Sequence, residues 1–202
     1  RSVSRGLGDV YKRQFEKNIR TNCAVTAVVR KEGQSPRLRT HQGEELSFDD
    51  IVIATHADQA MAMLSDIDDT ESSVLSELPY SENEVVLHTD THVLPRKRLA
   101  WSSWNYRLRG SNSQATLTYN MNILQGINSP ETFCVTLNDT DAIDPRTILG
   151  EYRYAHPQFT IKGIGAQQRW PEINGPRNTW FCGAYWRNGF HEDGLFSGNR
   201  VA

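Results

Sequence analysis

The sequence predicts an α+β protein in which a piece of α/β structure is interrupted by a mostly antiparallel sheet and then resumed. Three observations predict it. Asp49-Asp-Ile-Val-Ile-Ala54 is an apolar run bounded by polar residues, the pattern of a strand buried on both faces, and Thr55-His-Ala-Asp58 after it can start a helix. Between residues 84 and 137, short β-prone runs follow one another with turn residues between them, as antiparallel strands do. Near the end, Thr179-Trp-Phe-Cys-Gly183-Ala-Tyr-Trp-Arg-Asn-Gly189-Phe-His-Glu-Asp-Gly194-Leu-Phe-Ser-Gly198 reads as a short strand, a glycine- and aromatic-rich loop and the acidic first turn of a helix. Such a helix start leaves backbone N–H groups unpaired at the positive end of the dipole, which suits a phosphate or an electron-rich ring edge.

Taken in order, Ala24-Val-Thr-Ala-Val-Val29 is β-branched and apolar, and charged Arg30-Lys-Glu-Gly33 reads as the turn after it. Residues 38–40 and 45–48 read as short strands joined by the hairpin turn His41-Gln-Gly43, and residues 60–64 continue the helix begun at Thr55. Residues 72–78 form a short amphipathic helix ended by Pro79. Strands are expected over residues 84–88, 100–106, 115–120 and 133–137, with a hairpin turn at Ser111-Asn-Ser113. Asp144-Pro-Arg-Thr-Ile-Leu149 carries the cap and early proline of a helix, and residues 159–170 read as mixed strand. The resulting division is a non-native leader at 1–14, resembling translated sequencing-adapter read-through and excluded from the fold, part of a first domain at 15–66, a sheet domain at 67–170 and a return to the first domain at 171–202. Residues 197–202 read as the start of a longer helix, so the chain is expected to be an internal piece of a larger protein. A chain that leaves one domain, builds a second and returns places a cleft between them, where small-molecule sites are common.

Composition narrows the function classes. The formal net charge of −2 over 202 residues gives no general attraction to nucleic acid, and no apolar run approaches the ~20 residues of a membrane span. Cys23, Cys134 and Cys182 are odd in number, far apart and without CxxC spacing, which favours reduced thiols and a cytoplasmic setting over a disulfide or zinc framework.

Several clusters carry chemistry. His88-Thr-Asp90-Thr-His92 places three potential ligands at period two, but on a straight strand they point in parallel and do not converge on one ion, so no metal site is assigned. His191-Glu192-Asp193 reads as a helix N-terminus using acids for its dipole, with His191 as the candidate for moving a proton. Trp101, Trp104, Tyr106, Tyr119 and Trp186 are a dense aromatic set. On alternating strand positions such rings fill a core, and Trp104, Tyr119 and Trp186 are assigned to a substrate pocket. Trp101 and Trp104, three apart, are expected on opposite faces of one strand. Pro95-Arg-Lys-Arg98 reads as a solvated turn, with a phosphate or lipid-headgroup contact as the alternative. Lys162-Gly-Ile-Gly165 lacks the third glycine of a dinucleotide fingerprint at Gln168.

Set together, Asp50-Ile-Val-Ile-Ala-Thr-His-Ala-Asp-Gln-Ala60 and Phe181-Cys-Gly-Ala-Tyr185 with Glu192-Asp-Gly-Leu-Phe-Ser-Gly198 resemble the flavin-containing amine oxidase superfamily. Asn83-Glu-Val-Val-Leu-His-Thr-Asp90, Ser103-Trp-Asn-Tyr106, Thr118-Tyr-Asn-Met-Asn122 and Asn188-Gly-Phe-His-Glu-Asp-Gly194 extend the resemblance over most of residues 15–202, towards a bacterial branch of predicted NAD/FAD-binding, phytoene-desaturase-like oxidoreductases. The resemblance implies a fragment of a two-domain FAD-dependent oxidoreductase: part of an FAD-binding α/β domain plus a substrate domain built on the antiparallel sheet. It implies that Val25 meets the adenine with its backbone, and that Ala54, Thr55 and His56 end the strand behind the dinucleotide. Gly183, Ala184 and Tyr185 open the second flavin motif, with Ala184 where the family has an acidic residue. Glu192, Asp193, Gly194 and Leu195 form the helix start whose amides face the flavin ring. The family's N-terminal glycine-rich fingerprint would precede residue 15, so the piece alone is expected to be inactive.

The expected activity of the intact protein is hydride transfer to FAD from a small-molecule or lipid-like substrate, at C–N or C–C. A flavin-free binding or scaffold module, or an enzyme binding NAD across the two domains, are the rival readings. The oligomeric state and the electron acceptor are not readable from the sequence.

Overall fold

The computed structural model describes residues 16–108 and 116–202; the expected leader at 1–14 and the turn at Ser111-Asn-Ser113 lie outside the described residues. The chain divides into two compact units, one formed by residues up to Pro79 and again from Phe159 to Ala202, the other by Tyr80–Gln158.

The first unit opens with an antiparallel sheet of β1 (Val25–Val29), β2 (Arg37–Thr40) and β3 (Glu45–Ser47) in that order. The expected hairpin turn is present: the Gly43 N–H donates to the Thr40 carbonyl at 2.9 Å. Next, β4 (Ile51–Ile53) buries Ile51 and Ile53 but leaves Val52 51% exposed. The expectation of burial on both faces is therefore corrected, because nothing among the described residues covers the Val52 side. Two helices follow, α1 (Ala57–Met63) and α2 (Asp69–Leu75). The start of α2 lies three residues before the expected one because Asp68 and Glu71 form a capping box. The Asp68 carboxylate accepts from the Glu71 N–H at 2.8 Å, and the Glu71 carboxylate accepts from the Asp68 N–H at 3.2 Å.

Arg30, expected in a turn, is buried. Its guanidinium donates to both Glu71 oxygens at 2.6 and 2.8 Å and to Asp66 at 2.9 Å. Burial disfavours the charge, but the two carboxylates more than offset it and hold the Arg30 pKa above its ordinary value.

In the second unit a five-stranded sheet has the order β6-β7-β8-β5-β9, every neighbouring pair antiparallel, with β5 (Tyr80–His88), β6 (Trp104–Arg107), β7 (Thr116–Asn120), β8 (Cys134–Leu137) and β9 (Ile148–Pro157). A short helix α3 (Met121–Gln125) follows β7, started by Asn120, whose side chain accepts from the Ile123 N–H at 3.2 Å. Two expectations are corrected. Trp101 precedes β6, after a 3-10 turn at Arg98–Ala100, so it does not share a strand with Trp104. The helix expected at 144–149 is one 3-10 turn, Pro145–Thr147, which leads into β9. Asp144 starts a turn as its sequence suggests, but Ile148 onward pairs along the length of β5, from His88↔Ile148 to Tyr80↔Pro157, and this ladder overrides the local helix signal.

The chain then returns to the first unit through α4 (Ile161–Gln168) and α5 (Trp170–Ile173). The mixed strand expected at 159–170 is thus helical. Thr160 supplies the cap, accepting from the Gly163 N–H at 2.9 Å, and the two glycines of Lys162-Gly-Ile-Gly165 had masked a helix they weaken but do not break. After a 3-10 turn, β10 (Thr179–Phe181) pairs in parallel with β4, and the chain ends in α6 (His191–Val201). Among the described residues no helix is long and apolar enough to cross a membrane.

Candidate functional site

The two stretches far apart in sequence meet in the first unit. The parallel register Thr179↔Ile51, Trp180↔Val52 and Phe181↔Ile53 continues one step further, where the Cys182 N–H donates to the Ile53 carbonyl at 3.0 Å. Ala54-Thr55-His56 and Gly183-Ala184-Tyr185 therefore leave the same carboxyl edge of a parallel pair, the place where open α/β sheets meet their ligands. Ala54 is exposed, Thr55 and His56 are half-buried, and His56 is the residue before α1. Val25 lies elsewhere, in the three-stranded sheet, in register with Thr40.

The loop after β10 is pinned from two sides. The Gly183 N–H donates to the buried Ser197 hydroxyl of α6 at 3.1 Å, and the Gln167 amide of α4 donates to the carbonyls of Tyr185 and Arg187 at 2.9 and 2.7 Å. Neither Ser197 nor Gln167 was foreseen as a contributor. Ser197 is fourteen positions from its partner, and Gln167 lies in the segment expected to be strand. Gly183 itself has φ +157°, and a Cβ there would lie 2.4 Å from Cε1 of Tyr185. The close approach that requires this glycine is made by the protein's own Tyr185 ring.

Tyr185 and Trp186 are both buried, their ring centroids 5.2 Å apart. The Trp186 indole N–H has no hydrogen-bond partner among the described residues. A buried donor in that state costs free energy unless something else accepts from it. Burial pushes the Cys182 thiol above its ordinary pKa, which makes it a poor nucleophile.

At the start of α6 the Asp193 carboxylate, 5% exposed, accepts from the Phe190 N–H at 3.0 Å, and the N–H groups of Asp193 and Gly194 donate to the Phe190 carbonyl at 3.0 and 3.2 Å. The side chain of Asp193 is thus a helix cap, also within 3.5 Å of Arg187. His191 and Glu192 are exposed in the first turn, and Leu195 is 59% exposed.

The three rings assigned to a substrate pocket are divided between the two units. Trp104 and Tyr119 are cross-strand partners, edge to face with centroids 5.4 Å apart, whereas Trp186 belongs to the first unit. The register places Tyr106, Leu117, Val135, Leu137, Leu87 and Tyr152 on the same face as this pair. Along β6, Trp104, Tyr106 and Arg107 line an open groove of about 630 Å³ with Val93, Leu94 and Arg96. Burial raises the Tyr119 phenol above its ordinary pKa, so it stays protonated.

The opposite face is a buried polar network. The Asp90 N–H donates to His88 Nδ1 at 3.1 Å, which leaves Nε2 of His88 to donate to the Thr136 hydroxyl at 2.7 Å; the Thr136 and Thr118 hydroxyls bond at 2.8 Å. Asp90 accepts from the N–H groups of His92 and Asp144 at 2.8 and 2.9 Å. His88-Thr-Asp90-Thr-His92 is therefore not a strand face. His88 ends β5 fully buried, Asp90 organises the following loop, and the His92 ring is exposed. Among the described residues no group of acids, histidines and cysteines is arranged to hold a metal.

No family model and no curated protein matches the chain. Solved structures do. A CLA-producing fatty acid isomerase from P. acnes aligns over 89% of this chain and 47% of its own, at 15% identity and TM-score 0.58. A protein of Exiguobacterium sp. 255-15 described as a putative protoporphyrinogen oxidase aligns over 96% and 49%, at 13% identity and TM-score 0.58. Reduced UDP-galactopyranose mutase aligns over 81% and 42%, at 12% identity and TM-score 0.53. The chain shares the fold of these enzymes and spans about half their length.

Proposed function

We propose that this chain is part of a two-domain FAD-dependent oxidoreductase of the flavin-containing amine oxidase superfamily, acting in the cytoplasm on a small apolar or lipid-like substrate. The observation that carries the reading is the Cys182 N–H to Ile53 carbonyl bond at 3.0 Å, which sets the two flavin-like stretches side by side at one strand edge. The fold shared with a reduced mutase and with enzymes named as an isomerase and an oxidase supports it.

The residues present fit the ring end of such a cofactor. The Trp186 N–H is a buried donor in need of an acceptor, and the positive end of the α6 dipole favours negative charge near residues 191–194. When bound, FAD supplies the capacity to accept a hydride equivalent. Ala54, Thr55 and His56 back the dinucleotide, Gly183, Ala184 and Tyr185 hold the adjoining turn, and Glu192, Gly194 and Leu195 border the ring. Asp193 acts through the cap it places on α6. Exposed at the first position of that helix, His191 is the residue we assign to proton movement. The aromatic face of the second unit, centred on Trp104 and Tyr119, is the surface we assign to the substrate. One structural neighbour is named for a fatty acid, which accords with an apolar substrate.

A flavin-free module that retains the fold is the second reading. It is favoured by Ala184, which supplies no carboxylate, and by the Tyr185 ring occupying the space beside Gly183. The absorbance spectrum of the purified full-length protein separates the two. Oxidised-flavin bands that bleach anaerobically with substrate are expected; a colourless protein that takes up no added FAD rejects the enzyme reading. In the coloured protein, His191→Ala with an unchanged reduction rate and pH profile would remove His191 from the mechanism.

A further inference from the structure

From Thr91 to Pro130 the sequence carries no aspartate or glutamate and five basic residues, Arg96, Lys97, Arg98, Arg107 and Arg109, although the whole chain has a formal net charge of −2. The positive charge is therefore local, and three of the five charges sit together on one loop at 95–101. That loop is built rather than loose. Val93 and Leu94 are buried at its base, the Trp101 indole N–H donates to the Pro95 carbonyl at 2.8 Å, and the 3-10 turn Arg98–Ala100 is closed by the Trp101 N–H donating to the Arg98 carbonyl at 3.1 Å. The closed loop holds Arg96, Lys97 and Arg98 in solvent, and no carboxylate among the described residues pairs with them. At its tip Leu99 is 104% exposed.

An apolar residue fully in water, flanked by unpaired cations, is unfavourable for a surface that meets only solvent. It matches an interface with anionic headgroups over hydrocarbon, where cations meet phosphates and an apolar side chain reaches the acyl boundary. Beside the loop, Arg98 and Trp101 share a groove of about 290 Å³ with Asn120, Ile123 and Ile127. The Arg98 guanidinium lies 5.3 Å from the Trp101 ring centroid, and Ile123 and Leu124 of α3 are half exposed. A guanidinium at an aromatic and aliphatic wall is suited to a phosphodiester headgroup with its glycerol end against the wall.

We propose that the loop at 95–101, with the neighbouring face of α3, docks the protein peripherally on an anionic lipid surface. This proposal does not depend on the flavin reading, because every residue it uses belongs to the second unit and none to the candidate cofactor edge. Nucleic acid is the competing polyanion. It accounts for the cations but gives Leu99 nothing to bury.

The test is co-sedimentation of the full-length protein with vesicles of phosphatidylcholine alone and of phosphatidylcholine containing about one quarter phosphatidylglycerol. Binding to the anionic vesicles, weakened by salt and absent from the neutral ones, is expected. Each basic residue contributes roughly a fivefold gain in partitioning near an anionic leaflet, so the triple variant Arg96→Gln, Lys97→Gln, Arg98→Gln should lose about a hundredfold. Leu99→Ser should lose about tenfold without altering the salt dependence. All four side chains are exposed, so an unchanged melting temperature verifies that the variants are folded. No binding to anionic vesicles overturns the proposal, as does binding that survives the triple variant. Binding to single-stranded DNA as tight as to the vesicles, and indifferent to Leu99→Ser, assigns the loop to nucleic acid instead.

Discussion

Removing the Glu71 carboxylate should unfold the first unit more easily than any exposed substitution in it. The side chain is 2% exposed, and its two oxygens are held by Arg30 at 2.6 and 2.8 Å, by Arg177 at 2.6 Å and by the Asp68 N–H at 3.2 Å. Glu71→Ala leaves the Arg30 guanidinium, whose side chain is 1% exposed, with Asp66 as its remaining carboxylate at 2.9 Å. Truncating one partner of a buried pair costs about 3–5 kcal/mol, and the surviving Asp66 contact places this case near the lower end, about 3 kcal/mol. For a chain of this size that is roughly a 6–12 °C fall in the melting temperature. Arg177 comes from the turn Pro176–Asn178 immediately before β10, and it also holds Asp68 at 2.6 Å. The network therefore ties the returning segment, and with it the β4–β10 register, to the first part of the chain. Thermal unfolding by circular dichroism reads the loss, with Glu45→Gln in an exposed pair as the control. The double variant Arg30→Met, Glu71→Leu should recover part of it, since it removes the two fully buried charges and keeps volume, while Arg177 retains Asp68. A Glu71→Ala fall no larger than the control's, or a double variant as costly as the two single changes added, would refute the reasoning.

Two further perturbations separate structural from ligand-linked roles. Gly183→Ala sets a Cβ 2.4 Å from Cε1 of Tyr185 and should lower stability by about 1–3 kcal/mol by overpacking. Adding Tyr185→Ala should remove the part of that loss due to the clash and leave the backbone strain of φ +157°, and a double-mutant cycle on melting temperatures measures the coupling; no coupling would place the clash elsewhere. In the second unit, burial lowers the His88 pKa despite the opposing charge of Asp90, so the folded state keeps this imidazole neutral while the unfolded chain takes up a proton. Stability from this group is complete above the unfolded value of about 6.5 and is lost as pH falls below it towards the folded value. Urea titrations between roughly pH 7 and 5 should show the loss, and His88→Gln should abolish that part of the slope. Asp90, which burial pushes up but the N–H groups of Asp144 and His92 pull below its ordinary value, and Asp144, held at about 2 by Arg146, add their losses only at lower pH.

Elements with a two-residue or capping signature were legible in the sequence. The β1–β2–β3 hairpins, β4, α1 and the start of α6 lie within a few residues of where the apolar runs and turn residues put them. The errors fall where a distant partner decides or where glycines hide a local cap. At β9, pairing with β5 overrules an Asp-Pro helix start, and α4 forms in spite of two glycines because Thr160 caps it. Arg30 looks like a turn residue until Asp66 and Glu71, thirty-six and forty-one positions on, neutralise it. The same limit applies at the candidate site. The stretches that meet at the Ile53 and Cys182 edge could be picked out by resemblance, but no local pattern tells that Gly183 answers to the Tyr185 ring or that Ser197 and Gln167 pin the loop between them.

The sheet of the second unit is polar inside and aromatic outside, and this inversion bears most on function. Thr116-Leu-Thr-Tyr-Asn120 alternates cleanly, and hydropathy alone would turn Leu117 and Tyr119 inward. Instead Thr116, Thr118 and Asn120 are buried, on the side where Val86 packs with Val93 and Ile143 from the covering loops. Burying hydroxyls costs little when each is bonded, and the His88–Thr136–Thr118 chain meets that condition with bonds of 2.7 and 2.8 Å. The apolar side is then left to Trp104, Tyr106, Tyr152 and Tyr154, which are 50%, 60%, 45% and 52% exposed, with Tyr152 and Tyr154 stacked at 5.8 Å. The two aromatic groups lie on the two edge strands, β6 and β9, with Leu117, Tyr119, Val135, Leu137 and Leu87 of the same face between them. Because the polar side completes its own bonds, the exposed rings play no part in that network, and substitutions among them should leave the His88–Thr136–Thr118 chain intact.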